Sequence, residues 1–269
     1  MSAPAAIDDA DLERRFGGLR RLYGDEAYTR LRALRVAVVG LGGVGSWAVE
    51  ALARCGVAEL TLIDMDHVAE SNVNRQVQAL GATLGMAKAQ ALAQRVADIH
   101  PGCAVQVVEE FVEAGNWPAL LPGPVDVLID ACDQVRAKTA MAAWAIRERV
   151  AHVCCGAAGG KRHPDRIAIA DLAETTHDPL LASLRNRLRR EHGATPAGQG
   201  AIGVRCVYSR ESVAKPQDAA SCDAAPDGTL NCHGYGSAVT VTAPFGFAAA
   251  SEAIALGLGL QPLPKPKRQ

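Results

Sequence analysis

The residues with the clearest chemical potential in this sequence lie directly after short apolar segments. Asp64 ends the segment LTLID, and Asp130 ends VDVLID, with Asp133 three residues beyond it. Arg75 and Lys88 follow in the polar stretch after Asp64. Carboxylates bind ribose hydroxyls or Mg²⁺, while guanidinium and ammonium groups bind phosphate. This combination predicts a site for a charged nucleotide.

The segment GLGGVG supplies a second part of such a site. It contains Gly40, Gly42 and Gly45 in GxGxxG spacing, with Gly43 among them, after one apolar segment and before a predicted helix. These glycines permit a tight turn and let phosphate approach the N–H groups at a helix N-terminus. The alternative is a glycine turn used only for packing. Asp64, at the end of the next predicted strand, favours the nucleotide site.

The cations distinguish a dinucleotide from a triphosphate. A helix N-terminus largely satisfies a pyrophosphate, so additional cations downstream of the strand indicate the larger charge of ATP. Arg75 in the loop and Lys88 on the next helix provide them, and Asn72 is also expected to address the phosphates. Either cation alone could instead be a solvated surface charge.

The acids at the strand ends have structural alternatives as well. Asp130 and Asp133 lie where open parallel sheets bind ligands, so either can contact ATP or hold Mg²⁺ between phosphates. Alternatively, one of them caps a helix predicted at 134–149. For Asp66 the sequence leaves loop ordering and ligand contact equally open.

The apolar segments alternate with helical patterns, which favours an α/β fold with a doubly wound, mostly parallel, Rossmann-like sheet. Strands are predicted at 35–40, 59–64, 104–108, 125–130, 152–157 and 166–171, and helices at 8–32, 44–55, 84–99, 134–149 and 179–192. Asp178 is the predicted N-cap of the last helix, with Pro179 in its first turn.

The pattern changes near residue 172 and suggests three regions. Residues 1–171 are predicted to form the nucleotide-binding half with an N-terminal helical arm, and 172–258 a smaller C-terminal extension of the same domain. Residues 193–234 are rich in Gly, Pro, Asp and Ser and are expected to form long loops. Residues 259–269 are expected to be a disordered tail.

Composition indicates a soluble cytoplasmic protein. The 269 residues are 49% hydrophobic and 21% charged, with a net charge of −1, so no global field attracts nucleic acid. Eight cysteines without a CxxC pair favour a reduced compartment and no structural zinc. The N-terminal residues lack the pattern of a secretory signal. Residues 236–260 are apolar, but Pro244, Glu252 and many small residues favour a buried element over stable membrane insertion.

Several motifs together resemble a known superfamily. GLGGVGSW, LIDMD, NVNRQ, Lys88 and DACDQVR are similar to the ubiquitin-activating-like (HesA/MoeB/ThiF) adenylating enzymes. RFGGLRRLYG, DPLLASLRNRLRR and NCHGYGSA further resemble its branch of tRNA threonylcarbamoyladenosine dehydratases. The resemblance extends from residue 12 to about residue 255. It implies ATP-dependent cyclisation of threonylcarbamoyladenosine in tRNA through an acyl adenylate.

The resemblance also implies a set of site residues and partners. It implies a homodimer in which an N-terminal arginine, with Arg21 favoured over Arg15, crosses to the phosphates of the partner. It also implies Mg²⁺ on Asp133 and a monovalent cation, K⁺ or Na⁺, as a further cofactor. The implied ATP-site residues are Gly40, Gly42, Gly43, Gly45, Asp64, Asn72, Arg75, Lys88 and Asp130, with Asp133 in catalysis. Cys232 matches a family cysteine, for which a structural role is favoured over a thioester. A sulfur-transfer protein of the cysteine desulfurase system is a further implied partner.

The basic stretch in the helix 179–192 is the predicted contact with tRNA. It contains Arg185, Arg187, Arg189 and Arg190, and Lys161 and Arg162 are further candidates for the same contact. The alternative is an ordinary solvated helix face. Two other classes share parts of the nucleotide site: an adenylyltransferase acting on the C-terminal glycine of a small sulfur carrier, and a nicotinamide-dependent oxidoreductase. The missing zinc cysteines disfavour the first, and the extra cations and acids disfavour the second.

Overall fold

The structure is a computed structural model that describes residues 11–214 and 235–260. Its strands form one seven-stranded sheet in the order β3-β2-β1-β4-β5-β7-β6. All neighbouring strands are parallel except β6 and β7. The strands are β1 (Arg35–Val39), β2 (Glu59–Ile63), β3 (Ala104–Val108), β4 (Val127–Asp130), β5 (Ala151–Cys155), β6 (Ile167–Asp171) and β7 (Arg205–Ser209). The predicted Rossmann-like α/β fold is confirmed.

Helices cover both faces of this sheet. In the described part of the chain they are α1 (Leu12–Phe16), α2 (Gly18–Tyr23), α3 (Asp25–Leu31), α4 (Gly45–Arg54), α5 (Lys88–Ile99), α6 (Val135–Glu148), α7 (Pro179–His192) and α8 (Val239–Leu258). α4, α5 and α8 pack on one face, and α6 and α7 pack on the other. Because both faces are covered, the central strands carry nearly continuous apolar residues.

The topology brings three predicted site segments to one edge of the sheet. β1 is flanked by β2 on one side and β4 on the other, so the chain order reverses at β1. Ligands bind at such a reversal, beyond the carboxyl ends of the strands. Gly40 follows β1, Asp64 follows β2, and Asp133 lies just beyond β4. Their shared position therefore follows from the strand order.

Some predicted elements differ from the structure. The helix predicted at 8–32 is three short helices over its described part, because Gly17 and Gly24, the latter at φ +82°, interrupt it. The helix predicted at 84–99 begins at Lys88, after a turn in which Gly85 has φ +81°. β7 lies within the predicted loops 193–234, and surrounding glycine and proline residues hide its short apolar pattern.

The apolar segment 236–260, for which a buried element was predicted over membrane insertion, forms helix α8. By length and composition, it is the one helix among the described residues that could cross a membrane, and half of it is buried in the protein. Phe245 and Ala249 are fully buried in the core, and Glu252 pairs with Arg205 at 2.5 Å. Most of the predicted tail, residues 261–269, lies outside the described residues, as does Cys232.

Candidate nucleotide-binding site

A cavity opens at the carboxyl edge of the sheet, where the predicted site segments meet. The space inside it is about 1170 Å³, counting the open mouth. Its lining includes Gly40, Gly42, Gly43, Asp64, Asp66, Arg75, Gln76, Lys88, Asp133 and Gly156–Gly159. The residues after β1, β2, β4 and β5 thus contribute to one wall.

The glycines of the GLGGVG segment divide into two roles. Gly40 has φ +83°, and a Cβ there would lie 2.7 Å from the backbone nitrogen of Cys132. A Cβ on Gly45 would overlap the carbonyl oxygen of Gly40. Packing alone therefore requires glycine at these two positions. A Cβ on Gly42 would meet nothing closer than Gln76 Nε2 at 3.9 Å, so this glycine borders open cavity space.

Asp64 connects the glycine turn to the next loop. Its Oδ2 accepts a hydrogen bond from the backbone N–H of Leu41 at 2.6 Å, and its Oδ1 accepts one from the backbone N–H of Asp66 at 2.8 Å. Burial raises the pKa of Asp64, while the charge of Lys88 and these two N–H donors oppose the increase. A carboxylate that orders the glycine turn and also lines the cavity is well placed to meet ribose hydroxyls.

The two predicted phosphate-binding cations both line the cavity. Lys88 Nζ pairs with Asp66 Oδ2 at 2.6 Å, and the lysine side chain is only 8% exposed. Asp66 therefore stabilises a nearly buried cation, and because Asp66 also lines the cavity, ligand contact by its carboxylate stays a prediction. Arg75 Nη1 donates to Ser71 O at 2.8 Å and to Asn74 Oδ1 at 2.9 Å. Burial lowers the pKa of Arg75.

Asn72 lies beneath the loop and is not part of the cavity wall. Its side chain is buried, and its Oδ1 accepts a hydrogen bond from Ala69 N–H at 3.0 Å. Its carbonyl oxygen accepts hydrogen bonds from the backbone N–H groups of Arg75 and Gln76, both at 3.0 Å. The visible contribution of Asn72 is thus to hold Arg75 in place, and direct contact with phosphate stays a prediction.

Two glutamines that the sequence did not single out form a relay beside the predicted phosphate site. Gln78 Nε2 donates to the carbonyl oxygen of Leu41 at 2.9 Å and to Gln76 Oε1 at 3.1 Å. Because the carbonyl oxygen of Leu41 can only accept, the side-chain group of Gln78 that contacts it is the NH₂ group. The same NH₂ group donates to Gln76, so the Gln76 atom that accepts is its side-chain oxygen. The NH₂ group of Gln76 is then free to face the cavity, which Gln76 lines. In the sequence, Gln76 is marked only by its position directly after Arg75 in the segment NRQ.

Asp130 and Asp133 are separated by the structure. Asp133 lines the cavity, whereas Asp130 is fully buried below it. Asp130 Oδ1 pairs with Lys138 Nζ at 3.0 Å, and Lys138 also donates to Cys155 O at 2.8 Å. Burial opposes the charge on Lys138, but the carboxylate of Asp130 and the neighbouring thiols of Cys154, Cys132 and Cys155 together outweigh burial and raise the pKa of Lys138. This buried pair joins the ends of β4 and β5, and direct ATP contact by Asp130 stays a prediction.

The remaining predicted residues lie away from the cavity wall. Arg21 is exposed on α2. On α7, Arg185 donates to Leu172 O and Thr175 O, both at 3.1 Å, and Arg189 donates to Thr195 O at 3.0 Å. Arg187 and Arg190 both pair with Glu191, at 3.3 and 2.5 Å. The α7 arginines thus already have partners within this chain.

Comparison with known proteins assigns this architecture to a family. The ThiF family model matches residues 15–268, nearly the whole chain. The chain belongs to the ThiF family. A tRNA threonylcarbamoyladenosine dehydratase of Escherichia coli K12 is 44% identical over 242 residues, covering 88% of this chain and 90% of that protein.

Two further comparisons agree with this assignment. A tRNA threonylcarbamoyladenosine dehydratase of Haemophilus influenzae is 40% identical over 243 residues, covering 90% of this chain and 92% of that protein. The crystal structure of E. coli tRNA N6-threonylcarbamoyladenosine dehydratase, TcdA, in complex with ATP matches with a TM-score of 0.83 and 41% identity. That match covers 93% of this chain and 96% of the crystallised chain. The similarity therefore includes both the sheet and the segments around the cavity.

Proposed function

We propose that this chain is an ATP-dependent enzyme that dehydrates and cyclises threonylcarbamoyladenosine in tRNA. The observation that carries the proposal is the cavity, which gathers the glycine turn, Asp64, Arg75, Lys88 and Asp133 at one edge of the sheet. The similar E. coli enzyme, crystallised in complex with ATP, supports the choice of nucleotide. Its name supports the choice of substrate.

The chemistry requires activation of a carboxylate. A carboxylate oxygen of the threonylcarbamoyl group attacks the α-phosphorus of ATP, forming an acyl adenylate and releasing pyrophosphate. A nucleophile of the same side chain then attacks the acyl carbon, closes a five-membered ring and releases AMP, with net loss of water. Proximity favours this second step. The protein mainly orients the two ends and stabilises charge at phosphorus, with Asp64 at the ribose and Arg75 and Lys88 at the phosphates.

Mg²⁺ fits this site through the nucleotide. Among the described residues, no group of three or more His, Cys, Asp or Glu side chains forms a metal site of its own. One carboxylate combined with phosphate oxygens is the usual way in which proteins hold Mg²⁺, and Asp133 lines the cavity. Bound there, Mg²⁺ would neutralise charge that develops on the phosphates. We propose K⁺ or Na⁺ as a further cofactor.

The proposed assembly is a homodimer in which Arg21 reaches the phosphates bound by the partner. Its exposure on α2 is consistent with such a contact. A sulfur-transfer protein is a further proposed partner, and the cytoplasm the proposed compartment. We also propose that residues 1–171 form the nucleotide-binding half and residues 172–258 a C-terminal extension of the same domain.

Cys232 provides one test of the chemistry. If ring closure is intramolecular, Cys232→Ser keeps at least part of the dehydration activity. A variant that is folded and binds ATP but is inactive would instead favour a covalent thioester.

The decisive experiment measures AMP release with ATP and Mg²⁺. We expect tRNA bearing threonylcarbamoyladenosine to stimulate it and the same tRNA without this modification not to do so, with the cyclised nucleoside detected by mass. Background release with both tRNAs would overturn the proposal. The alternative adenylyltransferase would require a small protein with a Gly-Gly tail, and its AMP release would not respond to modified tRNA.

A further inference from the structure

The exposed arginines beside the cavity differ in position from those on α7. We propose that Arg162, Arg166 and Arg210 form a phosphate-binding surface, here called the rim patch, which holds the tRNA backbone next to the cavity. This inference rests on the proposed function and identifies which surface receives the RNA. All three side chains are exposed.

The strand directions place the rim patch at the cavity edge. β7 runs parallel to β5, so both strands end at the carboxyl edge of the sheet. Gly156–Gly159, just after β5, line the cavity, and Arg162 follows three residues later. Arg210 follows the end of β7, and its N–H donates to Arg166 O at 3.0 Å. The three arginines therefore lie at the same edge as the nucleotide site.

Hydrogen bonds from Arg162, His163 and Lys161 fix the backbone of the rim patch. The carboxylate of Glu211 accepts hydrogen bonds from the N–H groups of Arg162 and His163, at 3.0 and 2.9 Å. Burial opposes this charge, but the two N–H donors and neighbouring cations lower the pKa of Glu211. Lys161, which is 3% exposed, donates to the carbonyl oxygens of His177 and Glu211. Because the backbone is already ordered, binding to RNA would cost less entropy.

The arginine side chains in this patch remain available to a ligand. Within the described chain, the guanidinium groups of Arg162 and Arg210 form no hydrogen bond or ion pair, and Arg166 has only a 3.5 Å contact with the exposed Asp165. The Glu211 carboxylate is directed at backbone N–H groups. A polyanion can therefore bind here without first breaking strong contacts inside the protein.

The α7 arginines are less suitable in both respects. The N-terminus of α7 is at the cavity edge, since Asp178 Oδ2 accepts a hydrogen bond from Ala157 N–H at 2.8 Å. At about 1.5 Å per residue, Arg189 lies roughly 16 Å along the helix from Asp178. It donates to Thr195 O, and Arg187 and Arg190 pair with Glu191. A nucleoside inserted into the cavity would bring its flanking phosphates to the rim first.

The test compares two matched triple variants in the full-length protein. The rim variant carries Arg162→Gln, Arg166→Gln and Arg210→Gln, and the control carries Arg187→Gln, Arg189→Gln and Arg190→Gln. Both lose three positive charges. Affinity for tRNA is measured between about 50 and 200 mM salt. With roughly 0.7–0.9 counterions released per phosphate, the rim variant should lose a salt slope of about 2 and on the order of tens-fold affinity near 150 mM.

A third variant separates charge from structure. Arg162→Lys, Arg166→Lys and Arg210→Lys keeps the charges and should retain most of the affinity and salt dependence, since lysine binds phosphate as a point charge. ATP binding by calorimetry should be unchanged in all three variants. The inference is overturned if the rim Gln variant binds tRNA as the wild type does, if the control loses more affinity, or if the Lys variant is equally impaired.

The proposed function has its own readout in the same experiment. Wild-type AMP release with modified against unmodified tRNA tests the reaction. If the wild type binds tRNA more tightly than the rim Gln variant, the RNA surface is supported whatever the result for AMP release. Failure of one claim is therefore distinguishable from failure of the other.

Discussion

The buried ion pair of Lys138 and Asp130 lies below the cavity, and its removal tests how the ends of β4 and β5 are stabilised there. Both side chains are fully buried, and their charged atoms lie 3.0 Å apart. Lys138→Met keeps a side chain of similar length but leaves Asp130 as an unpaired buried carboxylate. It also removes the donor to Cys155 O, at 2.8 Å, which connects the end of β5 to β4.

The expected loss of stability follows from leaving the buried charge of Asp130 without its positive partner. Removing one partner of a buried ion pair typically destabilises a protein by about 3–5 kcal/mol. At roughly 2–4 °C per kcal/mol for a chain of this size, the Tm should fall by about 6–20 °C. The double variant Lys138→Met with Asp130→Asn removes both charges, so it should recover most of this loss. The asparagine of that double variant would still offer a side-chain oxygen to the backbone N–H of Cys132, which lies 3.2 Å from Asp130 Oδ1 in the wild type.

Urea unfolding of the wild type, both single variants and the double variant completes a double-mutant cycle. We expect a coupling energy of about 2 kcal/mol or more, because the two residues share one network. Exposed Arg147→Met, which breaks a surface pair with Glu148, is the control and should change stability by less than about 1 kcal/mol. If Lys138→Met is as stable as the wild type, or if the two single effects simply add, the ion pair does not stabilise the ends of β4 and β5 as argued.

Three other predictions concern single residues. Asp133→Ala should nearly abolish modified-tRNA-dependent AMP release, at a cost of about 3 kcal/mol or more in the transition state, while circular dichroism shows an intact fold. Asp64→Ala should weaken ATP binding by roughly 10- to 150-fold, from about 1.5–3 kcal/mol of charge-assisted hydrogen bonding, and unchanged affinity in calorimetry would contradict the ribose assignment. Burial, opposed by the charge of Asp130 and aided by that of Lys138, lowers the pKa of His152 to about 4. The unfolded chain then takes up that proton first, so stability should fall by about 3 kcal/mol as the pH falls from about 6.5 to about 4, and His152→Gln should flatten this slope in pH-dependent urea unfolding.

The sequence predicted the part of the site that depends on strand ends. The carboxyl ends of parallel strands meet at one edge, so Gly40, Asp64 and Asp133 are brought together once the strands are identified. The cations Arg75 and Lys88 were accessible to the same reasoning, because the loop and helix after β2 begin at that edge. Their presence on the cavity wall follows from local order along the chain.

The parts that the sequence could not provide depend on how side chains orient and which strands pair after folding. Nothing near Asp130 in the chain shows that Lys138, on the following helix, folds back beneath it. The orientation of Gln76 likewise depends on Gln78 and the carbonyl of Leu41. The antiparallel pairing of β6 and β7 required β7, whose five residues lie between segments rich in glycine and proline. The functional residues could be located from strand ends, whereas the contacts that support them depend on side-chain orientation and strand pairing that the sequence pattern does not show.

The pair of acids at the end of β2 explains how a Rossmann-like sheet carries a nearly buried cation. Asp64 hydrogen-bonds to the N–H groups of Leu41 and Asp66, so it ties the glycine turn to the loop after β2. Asp66 then pairs with Lys88 at 2.6 Å, and its carbonyl oxygen accepts the N–H of Lys88 at the start of α5. An isolated ammonium group at 8% exposure would be costly to bury. The second acid offsets that cost and holds the ammonium group on the cavity wall, where we propose that it binds a phosphate of ATP.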